Sequence, residues 1–171
     1  MFTFGIAGYE PRWTNSPRAA EAVHGHRLRA LVGRPLTGFW LVWDERDDEW
    51  FTDCPVLLDF GGEQVEINHW KFDDLSITWN TIDPQQPVDW PGFALHWRAN
   101  ALPEPRALLG LPLQDVELRS WSGDDAAHGS LEVGFVLPEG RIAVHNALDE
   151  NGLSFGPPDP LSRPVTRRTP R

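Results

Sequence analysis

The sequence predicts a mainly β domain with minor helix. Its β part is internally duplicated: two β-meander units packed as a pseudo-twofold β-barrel or sandwich, preceded by one N-terminal helix. Three observations carry this reading. The octapeptide Arg29–Leu36 recurs at Arg106–Leu113 with six of eight residues identical, and the segments after the two copies stay in register with each other. Apolar residues alternate with polar ones after both copies, the period of a half-buried strand. Gly and Pro then punctuate the chain at hairpin spacing.

Taken in order, Phe2–Ala7 reads as a short strand. Asn15-Ser16-Pro17 is a helix start, with a capping side chain before a proline in the first turn. That helix should run to about Leu31, with Gly25 its weakest point. Each repeat then opens on a turn closed by Gly33 or Gly110, with Pro two residues on, as at a left-handed C-cap. First strands come next at Phe39–Trp43 and Val116–Trp121, with Trp43 aligned to Trp121 after a one-residue slip. In the second strands Val56, Leu58 and Phe60 share one face, as do Leu131, Val133, Phe135 and Leu137.

Gly61-Gly62 makes a two-residue hairpin turn, and Pro138-Glu139-Gly140 a turn one residue longer. Third strands place Val65 and Ile67, and Ile142 and Val144, inward. Fourth strands carry Leu75, Ile77 and Trp79, and Leu153 and Phe155. Phe93–Ala99 is a strand matching Phe2–Ala7. The divisions are an N-terminal strand and helix (1–28), a first repeat (29–84), a connecting strand and loop (85–105), a second repeat (106–160) and a flexible basic tail (161–171). The repeats form one compact domain, because a unit of three or four strands must cover its apolar face.

The 171 residues carry a formal charge of −10. Binding to nucleic acid through phosphates needs clustered cations, so that class is not expected, and an acidic surface fits either solubility or a basic protein partner. One lysine stands against fourteen arginines, the coding bias of a GC-rich bacterial genome. No stretch approaches the roughly 20 apolar residues of a membrane span. The start lacks a secretory leader, and Cys54, the only cysteine, forms no internal disulfide. The expected location is the cytoplasm.

The polar positions that invite a chemical reading are the two segments after the third strands. Asn68-His69 precedes Asp73-Asp74, and His145-Asn146 precedes Asp149-Glu150. His69 or His145 would serve as general base, oriented by Asp73 or Asp149; the alternative is a capped strand end followed by a solvated acidic turn. Residues 149–152 lack the ligand spacing of a calcium loop. His24-Gly25-His26 lacks the further ligands of a zinc site. Cys54, flanked by Asp53, reads as a buried inert thiol.

The acidic loop Asp44–Glu49 has two readings. It is a solvated hairpin loop, or a docking surface built from Asp47, Asp48 and Glu49 and flanked by Trp43 and Trp50 as anchors. Nucleophile elbow, phosphate loop and dinucleotide fingerprint are all missing, so no cofactor is expected. The expected function is a non-enzymatic, inhibitor- or immunity-type protein-binding module. The alternative is a small-molecule-binding barrel, or barrel enzyme, with a Trp- and His-lined pocket.

Overall fold

A computed structural model describes residues 1–165. Ser16 caps the one substantial helix, α1 (Pro17–Arg29), its hydroxyl accepting from the Ala19 amide at 3.2 Å. Pro17 fills the first turn, where a missing N–H costs nothing. The helix crosses Gly25 without a break, and Ala20 and Leu28 carry its buried face.

The chain forms two antiparallel sheets. The first contains β1 (Trp13–Thr14), β2 (Leu36–Asp44), β3 (Glu49–Trp50), β4 (Val56–Phe60), β5 (Glu63–Trp70), β6 (Asp74–Trp79) and β7 (Leu95–Ala99). Its order is β1-β6-β5-β4-β2-β3, with β7 on the other edge of β2. After the short helix α2 (Pro103–Arg106) come β8 (Asp115–Trp121), β9 (Leu131–Leu137), β10 (Gly140–Asn146), β11 (Asn151–Ser154) and β12 (Ser162–Pro164), in the order β11-β10-β9-β8-β12. Strands β6-β5-β4-β2-β7 thus run in the same order as β11-β10-β9-β8-β12: a four-strand meander whose fifth strand returns to the free edge of the first.

The sheets share a core built from the alternating apolar residues of the strands, joined by Phe39 and Leu41 from the continuously apolar first strand. Phe39, Leu41, Val56, Leu58, Phe60, Val65, Ile67, Leu75 and Ile77 face Val116, Leu118, Leu131, Val133, Phe135, Leu137, Ile142 and Val144. At its centre the Phe60 and Phe135 rings stack with centroids 5.4 Å apart. The segments before β2 and β8 pair with each other around Pro35 and Pro112. Gly33 N donates to Leu113 O and Gly110 N to Leu36 O, both at 2.8 Å; Leu36 N donates to Leu111 O at 3.0 Å and Leu113 N to Arg34 O at 2.9 Å. The four bonds are reciprocal under the alignment of Gly33 with Gly110.

The outer faces differ. Trp40, Val42, Leu57 and Trp97 make the outer face of the first sheet apolar, and residues 1–14 and 80–94 roof it with Phe4, Ile6, Tyr9, Ile82 and Val88. Glu66, fully buried on this face, holds the roof down: it accepts from the Thr81 and Ile82 amides and from the hydroxyls of Thr78 and Thr81. The outer face of the second sheet carries an ion network instead.

Several expectations change. Phe2–Ala7 is not a strand: it is a turn with one bridge, Ile6 to Val88, because its aromatic residues are needed as the roof. Pro138-Glu139 makes a two-residue turn like Gly61-Gly62, since Leu137 pairs directly with Gly140. Trp43 and Trp121 are not equivalent: a bulge between Leu36 and Gly38 changes the register of β2, which leaves Trp43 on the core side and Trp121 on the outer side. Asn68 and His69 lie within β5, and His145 and Asn146 within β10, rather than in loops. Ser162–Pro164, placed in the basic tail, is β12; the rest of that tail, 166–171, lies outside the described residues.

Candidate functional site

A cleft of about 700 Å³ opens on the outer face of the second sheet. Its floor is Leu131, Glu132, His145 and Ser154, where β9, β10 and β11 lie side by side. One wall is Trp121 at the end of β8 with Asp125–Ala127 from the following loop; the other is Leu148, Pro157 and Asp159. Strand alternation explains the floor: Glu132 and His145 are cross-strand partners pointing away from the core. The His145 ring packs on Gly152, where a Cβ would come within 2.3 Å of Nε2. Burial holds this imidazole below its ordinary pKa, with Glu132 opposing that shift and Arg141 adding to it. It is therefore neutral near pH 7, and its ring makes no hydrogen bond among the described residues.

Beside the cleft the sheet is covered by its own charges. Arg141, 6% exposed, lies across Gly134, where a Cβ would sit 2.4 Å from a guanidinium nitrogen. It pairs with Glu132 at 2.6 Å and Glu117 at 3.4 Å. Arg119 meets Glu117 at 3.2 Å and donates to Ser162 O at 2.6 Å, and the Ser162 hydroxyl donates to Glu132 at 2.8 Å. This network fixes the Glu132 carboxylate at the edge of the cleft and ties β12 to the sheet.

His69 is elsewhere. It lies between the sheets, 2% exposed, with Nε2 2.9 Å from Leu131 O and Nδ1 3.1 Å from Asn151 Oδ1. Asn151 cannot turn its amide round, because its nitrogen already donates to Thr52 O, Cys54 O and Asn68 Oδ1. Burial lowers the His69 pKa to about 4, against the two acceptors that favour the charged ring. No substrate reaches it. The Asp73 and Asp149 carboxylates bond to neither histidine among the described residues; Asp149 accepts from the Lys71 amide, and Asn146 donates to Lys71 O, so the two acidic turns clasp each other.

In the acidic loop, Asp47, Asp48 and Glu49 are all exposed, and Asp48 accepts from Trp43 Nε1 at 2.9 Å and faces Arg98 at 3.6 Å. Arg98 also covers the Trp43 ring, and Trp50 packs against the main core. Cys54 is buried; desolvation, then Asp53, pushes its thiol well above the usual range. His24 accepts from Trp79 Nε1 at 3.4 Å. Among the described residues no three metal-ligating side chains converge, and no helix is long and apolar enough to cross a membrane.

Sequence reasoning found His145 and missed its companions. Trp121, Asp125 and Glu132 are distributed over β8, a loop and β9, and only the period-two alternation of Glu132 against Leu131 and Val133 marked an outward carboxylate. The chain matches no family model, and no curated protein and no solved structure shows significant similarity to it.

Proposed function

We propose that this chain is a small-molecule-binding protein whose ligand occupies the cleft bounded by Trp121, Glu132 and His145. One observation carries the reading: the outer face of the first sheet is roofed by 1–14 and 80–94, whereas that of the second is open beside a rigid ion network and an unbonded imidazole. Small-molecule sites are concave, mostly apolar and furnished with a few fixed polar groups, and this cleft has that composition. The shared strand order and the reciprocal bonds around Pro35 and Pro112 support a further reading, that the sheets are copies of one duplicated unit. In that reading one copy carries the roof and the other the ligand. The buried free thiol of Cys54 fits a reducing compartment such as the cytoplasm.

The test is a fragment screen observed on the isotopically labelled protein. Saturable shifts should cluster on Trp121, Leu131, His145 and Ser154. Shifts confined to residues far from the cleft would refute the proposal. The exposed carboxylates of Asp47 and Glu49 favour a second reading, a docking loop for a basic protein. Neutralising both should then slow association with a partner captured from the native host, more at low salt than at high.

A further inference from the structure

We propose that the cleft takes a guanidinium-bearing small molecule, its planar cation laid on the Trp121 ring and its N–H groups turned toward Asp125. This rests on the cleft being a ligand site and names the ligand's chemistry.

The chain itself shows how its tryptophans behave beside carboxylates. Trp43 donates to Asp48, and the Arg98 guanidinium lies 4.6 Å above the ring and 3.6 Å from the same Asp48. Trp79 lies under the Arg27 guanidinium at 4.5 Å, with Arg27 bonded to Glu63 at 2.6 Å. Trp70 has the Lys71 ammonium at 5.7 Å, and Lys71 is 3.7 Å from Asp74. Each of these rings combines a negative π-face with a nearby carboxylate and carries a cation. The two closest contacts are guanidinium groups, whose flat, weakly hydrated plane stacks where an ammonium does not.

Trp121 has the same equipment but, among the described residues, no cation on its face. Its Nε1–H lies 3.0 and 2.9 Å from the two oxygens of Asp125, a bond the loop can form because Gly123 has no side chain to strike the indole edge. Among the described residues no Arg or Lys stacks on this ring, and none lines the cleft, whereas Asp125, Glu132 and Asp159 do. Glu132 is satisfied by Arg141 and Ser162, and Asp159 accepts from the Leu161 amide. Asp125 and Asp159 both receive only neutral N–H groups, and of the two Asp125 is the one bonded to the Trp121 indole, so it is the carboxylate placed to meet a cation on that ring. His145, neutral near pH 7, adds no repulsion. Leu148 and Pro157 offer apolar wall to a short alkyl chain. The three carboxylates disfavour an anionic ligand.

The experiment compares butylguanidinium with its neutral isostere butylurea at pH 7.5, following the Trp121 indole N–H resonance, assigned by its loss in Trp121→Phe. Butylguanidinium should shift that resonance saturably and bind about tenfold more tightly than butylurea. Asp125→Asn, which keeps an acceptor for the Ala127 amide, should abolish the preference and leave the rest of the spectrum in place. Equal binding of both compounds, or a preference that survives Asp125→Asn, would overturn the cationic assignment while leaving the cleft a ligand site. If neither compound nor any neutral or anionic fragment moves a cleft resonance, the ligand site itself falls, and this inference with it.

Discussion

Lowering the pH should weaken this protein in large part through His69, the fully buried histidine. The neutral ring has a single N–H but two oxygen neighbours, Leu131 O and Asn151 Oδ1. Protonation would satisfy both, and burial outweighs that gain, so the folded value falls to about 4 from the ordinary 6.5. Between those values the unfolded chain binds more protons than the folded one. Stability is therefore complete above pH 6.5 and declines as the pH falls toward 4. Integrating the two titrations gives a loss of about 2.5 kcal/mol between pH 7.5 and pH 4.5 from this group alone.

Urea unfolding at those two pH values, on the wild type and on His69→Gln, isolates it. The variant retains the carboxylates and the other histidines, so their contributions cancel in the difference. The wild type should lose about 2.5 kcal/mol more than the variant. Equal losses, or a His69 ring that titrates at or above 6.5 by NMR, would show that the two acceptors win over desolvation and would reverse the sign of the argument.

Phe60→Ala and Phe135→Ala should each cost about 3–5 kcal/mol in chemical denaturation, and because the two rings stack, the double variant should cost less than the sum. Arg141→Ala leaves Glu132 without its cation in a mostly buried setting, while Glu117 keeps Arg119, and should cost about 3 kcal/mol, read as a fall in the denaturation midpoint. A chain ending at Leu161 loses β12, with the Arg119 and Glu132 bonds to Ser162 and the bond from Val165 N to Leu118 O. It should melt about 5–10 °C lower than a chain ending at Val165, which keeps these bonds.

The main core was legible because it follows from alternation. Val56, Leu58 and Phe60, and Leu131, Val133 and Phe135, stand two apart and face inward together. The features that escaped depend on a residue's distant neighbours. Phe2–Ala7 has a strand's composition, yet its neighbours are Trp70, Trp90 and the apolar outer face of the first sheet, so it folds as a lid. His69 and Asn151 are 82 positions apart and bond across the sheets. Asn151 in particular read as part of an acidic turn, although its amide bonds four residues outside that turn. Trp43 and Trp121 matched by type, but one bulge sent them to opposite faces, a consequence of the two-residue period that similarity alone does not reveal.

The difference between the outer faces explains why the cleft lies where it does. A sheet face bearing Trp40, Val42, Leu57 and Trp97 has to be covered, and residues 1–14 and the stretch 80–94 cover it. The matching face of the second sheet bears Glu117, Arg119, Glu132 and Arg141, and Gly134 lets the Arg141 guanidinium lie flat across the strands. Two acids and two bases in contact pair their charges with one another, so that half of the face needs no lid. The network ends at Glu132. Beyond it, toward His145 and Trp121, the described chain supplies no cation and no roof, and the neighbouring loops fold up as walls. Arg141→Met tests this directly. It removes the charge while keeping the apolar bulk over Gly134, so a cleft that depends on Glu132 being held in place should lose ligand affinity while the core remains intact. Unchanged affinity in a destabilised Arg141→Met protein would show that the network serves stability alone.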